Sequence, residues 1–166
     1  MIWFSLFRVF PGLESFIRWC NATSIGTYVR QAAWAFKFIE TVHILAWVVL
    51  LGSTMIVNLR LLGILRGWSV GQVARNVSLF TNISLLLVAV TGILMFLSNP
   101  QRYFTNIAFG PKMLCFLIAV IYQLTLYRSV VRIDSRKIPM WARFSGGFSL
   151  VVWFAIGAAG RAIGAL

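Results

Sequence analysis

His43 is the single histidine of the chain, and Glu40 precedes it by three residues, a spacing that puts a carboxylate and an imidazole on one helix face. Imidazole exchanges protons near neutral pH and, when neutral, ligates metals and haem iron. Continuing down the same face brings Trp47, Thr54 and Asn58. Inside a membrane helix such a polar stripe must turn toward protein or water, because unsatisfied polar groups are costly in hydrocarbon. Of the three acids, Glu14, Glu40 and Asp134, only Glu40 belongs to an apolar span, so Lys112 or Arg161 is its expected counter-ion. The cluster Glu40, His43, Lys112 and Arg161 has two readings: a salt-bridged lid that closes a helical bundle, or a site for an ion, proton or cofactor.

One histidine narrows the cofactors. Haem b normally takes two axial ligands, so His43 would need a Met, an open position or the same histidine of a second copy across a symmetric interface. A zinc centre built on histidines alone is excluded. Copper could recruit Met55, Met95, Met113 or a cysteine, but no M-x-x-M or C-x-x-C spacing accompanies them. Cys20 and Cys115 lie far apart, and nothing in the sequence supports a disulfide between them. Walker A, HExxH and GxSxG signatures are missing, as is a carboxylate pair for hydrolysis, so the expectation is a protein without catalysis.

The elements that must position these residues follow from composition. Of 166 residues, 60% are hydrophobic and 11% charged, against roughly 25% charged in an ordinary soluble domain. Mean hydropathy is +0.89. So little charge cannot cover a soluble monomer of this size, and the apolar excess must face lipid. The net charge of +12 would suit nucleic acid, but the basic residues punctuate apolar runs instead of sharing a face, which favours anionic headgroups as their partner.

The expected fold is all-α, an integral membrane four-helix bundle with spans near 41–59, 77–98, 111–131 and 144–163. The third span is short in apolar residues, with Lys112 and Arg128 placed to snorkel at its ends. Residues 1–36 read as an interfacial amphipathic segment ahead of the bundle at 37–166. In that segment Pro11-Gly12 is expected to break the helix and Asn21 to Gly26 to form a loop, with Ser24 or Thr27 capping a helix that runs through Trp34. No basic n-region or A-x-A site marks a cleaved signal peptide. Pro111 suits the first turn of the third span, Asn99-Pro100 ends the second, and residues 100–110 are expected as a loop.

Antiparallel spans bring Glu40, His43, Thr91, Lys112 and Arg161 to one side of the membrane. The first and third connections carry Arg60, Arg66, Arg75, Arg128, Arg132, Arg136, Lys137 and Arg143, eight cations. The other side carries Arg8, Arg18, Arg30, Lys37, Arg102, Lys112 and Arg161, seven in all, or three once the four upstream of the first span are set aside. The positive-inside rule then puts both termini outside the cytoplasm. On the last span Gly157, Gly160 and Gly164, with Ala155, Ala158, Ala159 and Ala162, make a small-residue surface for close helix packing, within the chain or between copies.

Tyr28-Val29-Arg30, Trp34, Ile39-Glu40-Thr41-Val42-His43, Gly52, Leu59-Arg60-Leu61-Leu62-Gly63, Thr91-Gly92-Ile93-Leu94 and Lys112 together resemble an uncharacterised family of small bacterial four-span membrane proteins, a domain of unknown function. The resemblance covers about Ser24 to Val131. It implies an inner-membrane bundle and supplies no activity. The family pattern has an acid just before L-R-L-L-G, where this chain has Asn58, and a Pro near Lys37; without that acid a relay from His43 to the opposite face is weakened. A looser likeness to copper-resistance membrane domains rests on a histidine early in a span and is analogy alone.

The sequence therefore leads to an inner-membrane bundle that works as a homo-oligomer or as a subunit of a larger membrane complex. The alternatives are a haem b electron-transfer protein and a small ion or metal transporter.

Overall fold

The structure is a computed structural model. It describes residues 11–65, 67–131 and 138–165, and every regular element among them is helical. In chain order they are α1 Pro11–Asn21, α2 Ser24–Gln31, α3 Ala33–Leu61, α4 Val70–Ser98, α5 Pro100–Thr105, α6 Phe109–Val131 and α7 Met140–Ala165. Helices α3, α4 and α7 include segments long and apolar enough to cross a membrane, and α6 holds a shorter apolar stretch, Phe109–Thr125.

Local chemistry explains the boundaries. Pro11 opens α1, where its missing N–H costs nothing, and Glu14 pairs with Arg18 one turn on at 2.5 Å. Helix α4 starts with a capping box, Ser69 Oγ accepting from Gln72 N while Gln72 Oε1 accepts from Ser69 N. Asn99 caps α5 by accepting from Arg102 N. The L-R-L-L-G stretch is the stop of α3. Gly63 takes φ +85°, its N–H bonds Arg60 O at 3.0 Å, and Ile64 N–H bonds Leu59 O at 3.1 Å. That double bond is a Schellman cap, which calls for glycine at the left-handed position. Arg60 is buried there and its Nε donates to Trp68 O at 2.6 Å, tying the connection to the helix end.

The four long helices pack in a closed ring, α3 on α4, α4 on α6, α6 on α7 and α7 on α3. Neighbours run antiparallel along that ring: Asn58 Nδ2 donates to Ser149 Oγ at 2.9 Å, Gly146 lies against Leu61, and Gly157 lies against Trp47. Ala46, Leu50, Val88, Ala119, Trp153 and Ile156 form one core, and Val57, Leu61, Val70, Ala74 and Ala142 a second one nearer the α3–α4 connection. Buried hydroxyls are satisfied within their own helices: Ser53 and Thr54 on α3 and Thr81 and Ser84 on α4 bond carbonyls one turn back. Small, internally satisfied side chains let these helices approach closely without an unpaired polar group. Outside, apolar side chains are exposed on every long helix, Leu86 at 65%, Leu114 at 61% and Val151 at 69% among them.

The N-terminal region departs from the sequence reading. The expected loop from Asn21 to Gly26 shrinks to Ala22 and Thr23, because Gly26 is wanted inside α2, where it meets the Leu97 carbonyl of α4. Thr23, not Ser24 or Thr27, is the cap, its Oγ1 accepting from Gly26 N at 3.3 Å. The helix that begins at Ser24 does not continue through Trp34: Ala32 is extended and separates α2 from α3, which holds Trp34. The stretch after Asn99-Pro100 begins with the short α5 instead of a loop. Residues 1–10 of the amphipathic segment lie outside the described residues. Both cysteines are free, Cys20 buried on α1 and Cys115 half-buried on α6.

Candidate functional site

His43 sits on α3 facing α4, half-buried, with its Nδ1 2.8 Å from Thr91 Oγ1 and its Cε1 beside Gly92. Thr91 has one hydroxyl proton and gives it to Leu87 O at 2.5 Å. The imidazole must therefore be the donor to Thr91, which puts the neutral ring's proton on Nδ1 and the lone pair on Nε2. A histidine anchored through Nδ1–H with Nε2 unprotonated has the arrangement seen in metal- and haem-ligating histidines. Below it, Trp47 and Trp153 pack tilted at 5.6 Å and fill the interior between α3 and α7.

Of the other sequence candidates, Lys112 is brought to the histidine and two are not. Lys112 on α6 leans its ammonium against Gly160 of α7, half-buried, close enough for its charge to act on the His43 ring. Glu40 and Arg161 are both exposed. The expected Glu40 ion pair with Lys112 or Arg161 does not form: among the described residues the ion pair is Glu14–Arg18. Glu40 lies a helical turn outside His43, where solvent can hydrate its carboxylate, while Lys112 is drawn inward along the Gly160 surface. The stripe of Trp47, Thr54 and Asn58 does face the interior, half-buried at Trp47 and buried at the other two.

Three glycines of α7 are spent inside the chain. Gly146 approaches Leu61 and the Asn58 carbonyl, Gly157 approaches Trp47, and Gly160 approaches Lys112. The structure thus uses this face for packing against α3 and α6. Among the described residues no three of His, Cys, Asp or Glu converge as a metal site.

Sequence reasoning missed several polar residues at the same end. Arg30 on α2 donates to Asn21 Oδ1 at 2.6 Å, to Ser98 O at 2.8 Å, to Asn21 O at 3.1 Å and to Thr27 Oγ1 at 3.3 Å, clamping α1 and α2 to the end of α4. Ser98 is the last residue of α4, so its carbonyl has no partner further along the helix, a usual target for arginine. Tyr103 on α5 packs tilted against Phe109, and its hydroxyl is held above the ordinary phenol range by burial and then by the Glu40 charge, with Arg102 pulling the other way. Arg30 stands in a motif the sequence reading had singled out. Its four acceptors are scattered over three residues, Asn21, Thr27 and Ser98, which no spacing rule brings together.

Residues 16–166 match a family of unknown function, DUF6644. The chain belongs to this family. No curated protein and no solved structure matches it. The match takes in α2 through α7 and half of α1, well beyond the stretch that carried the resemblance, and so includes both the Schellman stop of α3 and the His43–Thr91 contact.

Proposed function

We propose that this member of the family is a multi-pass protein of the bacterial inner membrane, a four-span bundle with both termini outside the cytoplasm. It acts without catalysis, as a self-associating bundle or as a subunit of a larger membrane complex, and holds an ion or cofactor at the end of the bundle where His43 lies. What supports the membrane reading is the continuous apolar exterior of the four long helices. The observation that carries the ligand reading is the His43–Thr91 contact: with the Thr91 proton given to Leu87 O, Nδ1 is the donor and Nε2 keeps the lone pair that can accept or ligate. Lys112 beside the ring tilts the site toward a ligand with oxygen acceptors or negative charge and against a bare cation.

The haem b alternative asks for a second histidine and therefore for a second copy of the chain. The deciding experiment is a visible absorption spectrum and metal analysis of the membrane-extracted protein beside His43→Gln. A Soret band lost in the variant supports haem, and a bound metal lost in the variant supports an ion site. A colourless, metal-free parent indistinguishable from the variant ends the cofactor and metal readings and leaves the membrane-subunit reading standing.

A further inference from the structure

At the end of the bundle that carries His43, α2, α3, α4 and α5 enclose an open cavity of about 150 Å³. Its walls include Val29 and Phe36 on the apolar side and Arg30, Asn99, Arg102 and Tyr103 on the polar side. At roughly 30 Å³ per water this is room for about five waters, enough for a phosphate group with its first carbon substituents.

The two guanidinium groups differ in how they are held. Arg30 is fixed by four hydrogen bonds, all to neutral acceptors, so its orientation is set while its charge stays uncompensated. Arg102 is placed by its backbone, whose N–H bonds the Asn99 side chain at 3.2 Å, and its guanidinium has no acceptor among the described residues. Tyr103 adds a hydroxyl that burial and the neighbouring Glu40 keep protonated, hence a donor. Glu40 acts on Tyr103 as an exposed single negative charge, set against two guanidinium groups. Such a set, a fixed positive charge at one side and a free guanidinium at the other, suits a tetrahedral oxyanion, which Arg102 can bind through paired N–H groups.

The surroundings say where that oxyanion comes from. Trp19, Tyr28 and Trp34 are exposed around this end, at 65%, 58% and 66%. Exposed amphipathic rings at one level mark the depth of lipid headgroups, and the apolar walls at Val29 and Phe36 suit glycerol and acyl carbons beneath a phosphate. We infer that the cavity between α2 and α5 is a binding site for a phosphate group, taken from the headgroup of an anionic phospholipid and bound by Arg102 and Tyr103 beside the fixed charge of Arg30. The lipid source rests on the membrane reading above; the phosphate site does not.

The test uses the purified full chain in detergent micelles, titrated separately with dioctanoyl phosphatidylglycerol and with sodium phosphate at constant ionic strength, with apparent Kd read from tryptophan fluorescence. Arg102→Gln is the informative variant, because Arg30 also ties three helices together and its loss can unfold the region. Lys37→Gln, an exposed cation at the same end that does not line the cavity, is the control. The expected result is saturable phosphatidylglycerol binding that Arg102→Gln weakens by about tenfold and Lys37→Gln by less than about twofold. Inorganic phosphate binding with the same dependence on Arg102 supports the site while overturning its lipid source, leaving the membrane reading to be judged separately. Binding of neither probe, or equal weakening by the two variants, overturns the site, since the second outcome means only diffuse positive charge.

Discussion

Thr91 determines which nitrogen of His43 carries the proton, so its loss should be felt at the histidine. Thr91→Val keeps the shape and removes the acceptor, leaving a half-buried N–H without its partner. The expected cost is about 1 kcal/mol in detergent unfolding, within the range of hydrogen bonds between membrane helices, and combination with His43→Gln should be non-additive by a similar amount. Glu40→Gln is expected to stay within the roughly 0.5 kcal/mol of an ordinary surface change, since no ion pair is lost. A larger loss would mean that Glu40 has a charged partner in solution. The Glu40–His43 spacing was readable because helical periodicity is local. The absent counter-ion was not: spacing gives the direction a side chain takes but not its depth, and the pairing argument assumed a dry environment that the exposed Glu40 does not have.

Between helices, the contacts that matter are those where a backbone has no room to yield. A Cβ added at Gly146 would lie 2.9 Å from Leu61 Cβ and 3.1 Å from the Asn58 carbonyl, whereas one at Gly160 would meet only the mobile end of Lys112 at 3.3 Å. Gly146→Ala should therefore destabilise by about 1–3 kcal/mol and loosen the Asn58–Ser149 bond, with Gly160→Ala much milder. Thermal unfolding of both variants in one detergent checks the order, and equal midpoints would count against close α3–α7 contact. Gly63→Ala should cost about 1–2 kcal/mol because φ +85° is unfavourable for alanine. The small residues of α7 announced close packing in the sequence, but a stripe carries no label for its partner, and only the fold turns Gly146, Gly157 and Gly160 inward. Asn21 and Gly26 misled for a related reason. Both favour turns locally, and the α2–α4 contact outweighs that preference at Gly26.

For the whole molecule, the helical class and the four apolar stretches were legible because hydropathy needs no tertiary information, while the short helices α2, packed on α4, and α5, packed on α1 and α6, depend on contacts that composition does not encode. The orientation proposal expects Ser69, in the α3–α4 connection, and Ser135 to share the cytoplasmic side, with Leu166 opposite. Cysteine introduced at each position in a Cys-free background, labelled from outside intact cells, tests it: labelling at Ser135 would reverse the orientation. The unequal helices raise a further matter. At 1.5 Å per residue α3 and α4, 29 residues each, are about 43 Å long, and α6, 23 residues, about 35 Å. On the proposal that these helices span a bilayer, lipids beside α6 meet a shorter flank than those beside α3 and α4, and thinner surroundings suit that flank. Its unfolding midpoint should then be higher in phosphatidylcholine with 14-carbon chains than with 22-carbon chains. Lodged in a membrane of mixed thickness, the chain would collect short lipids along α6 and drift toward the thinner regions.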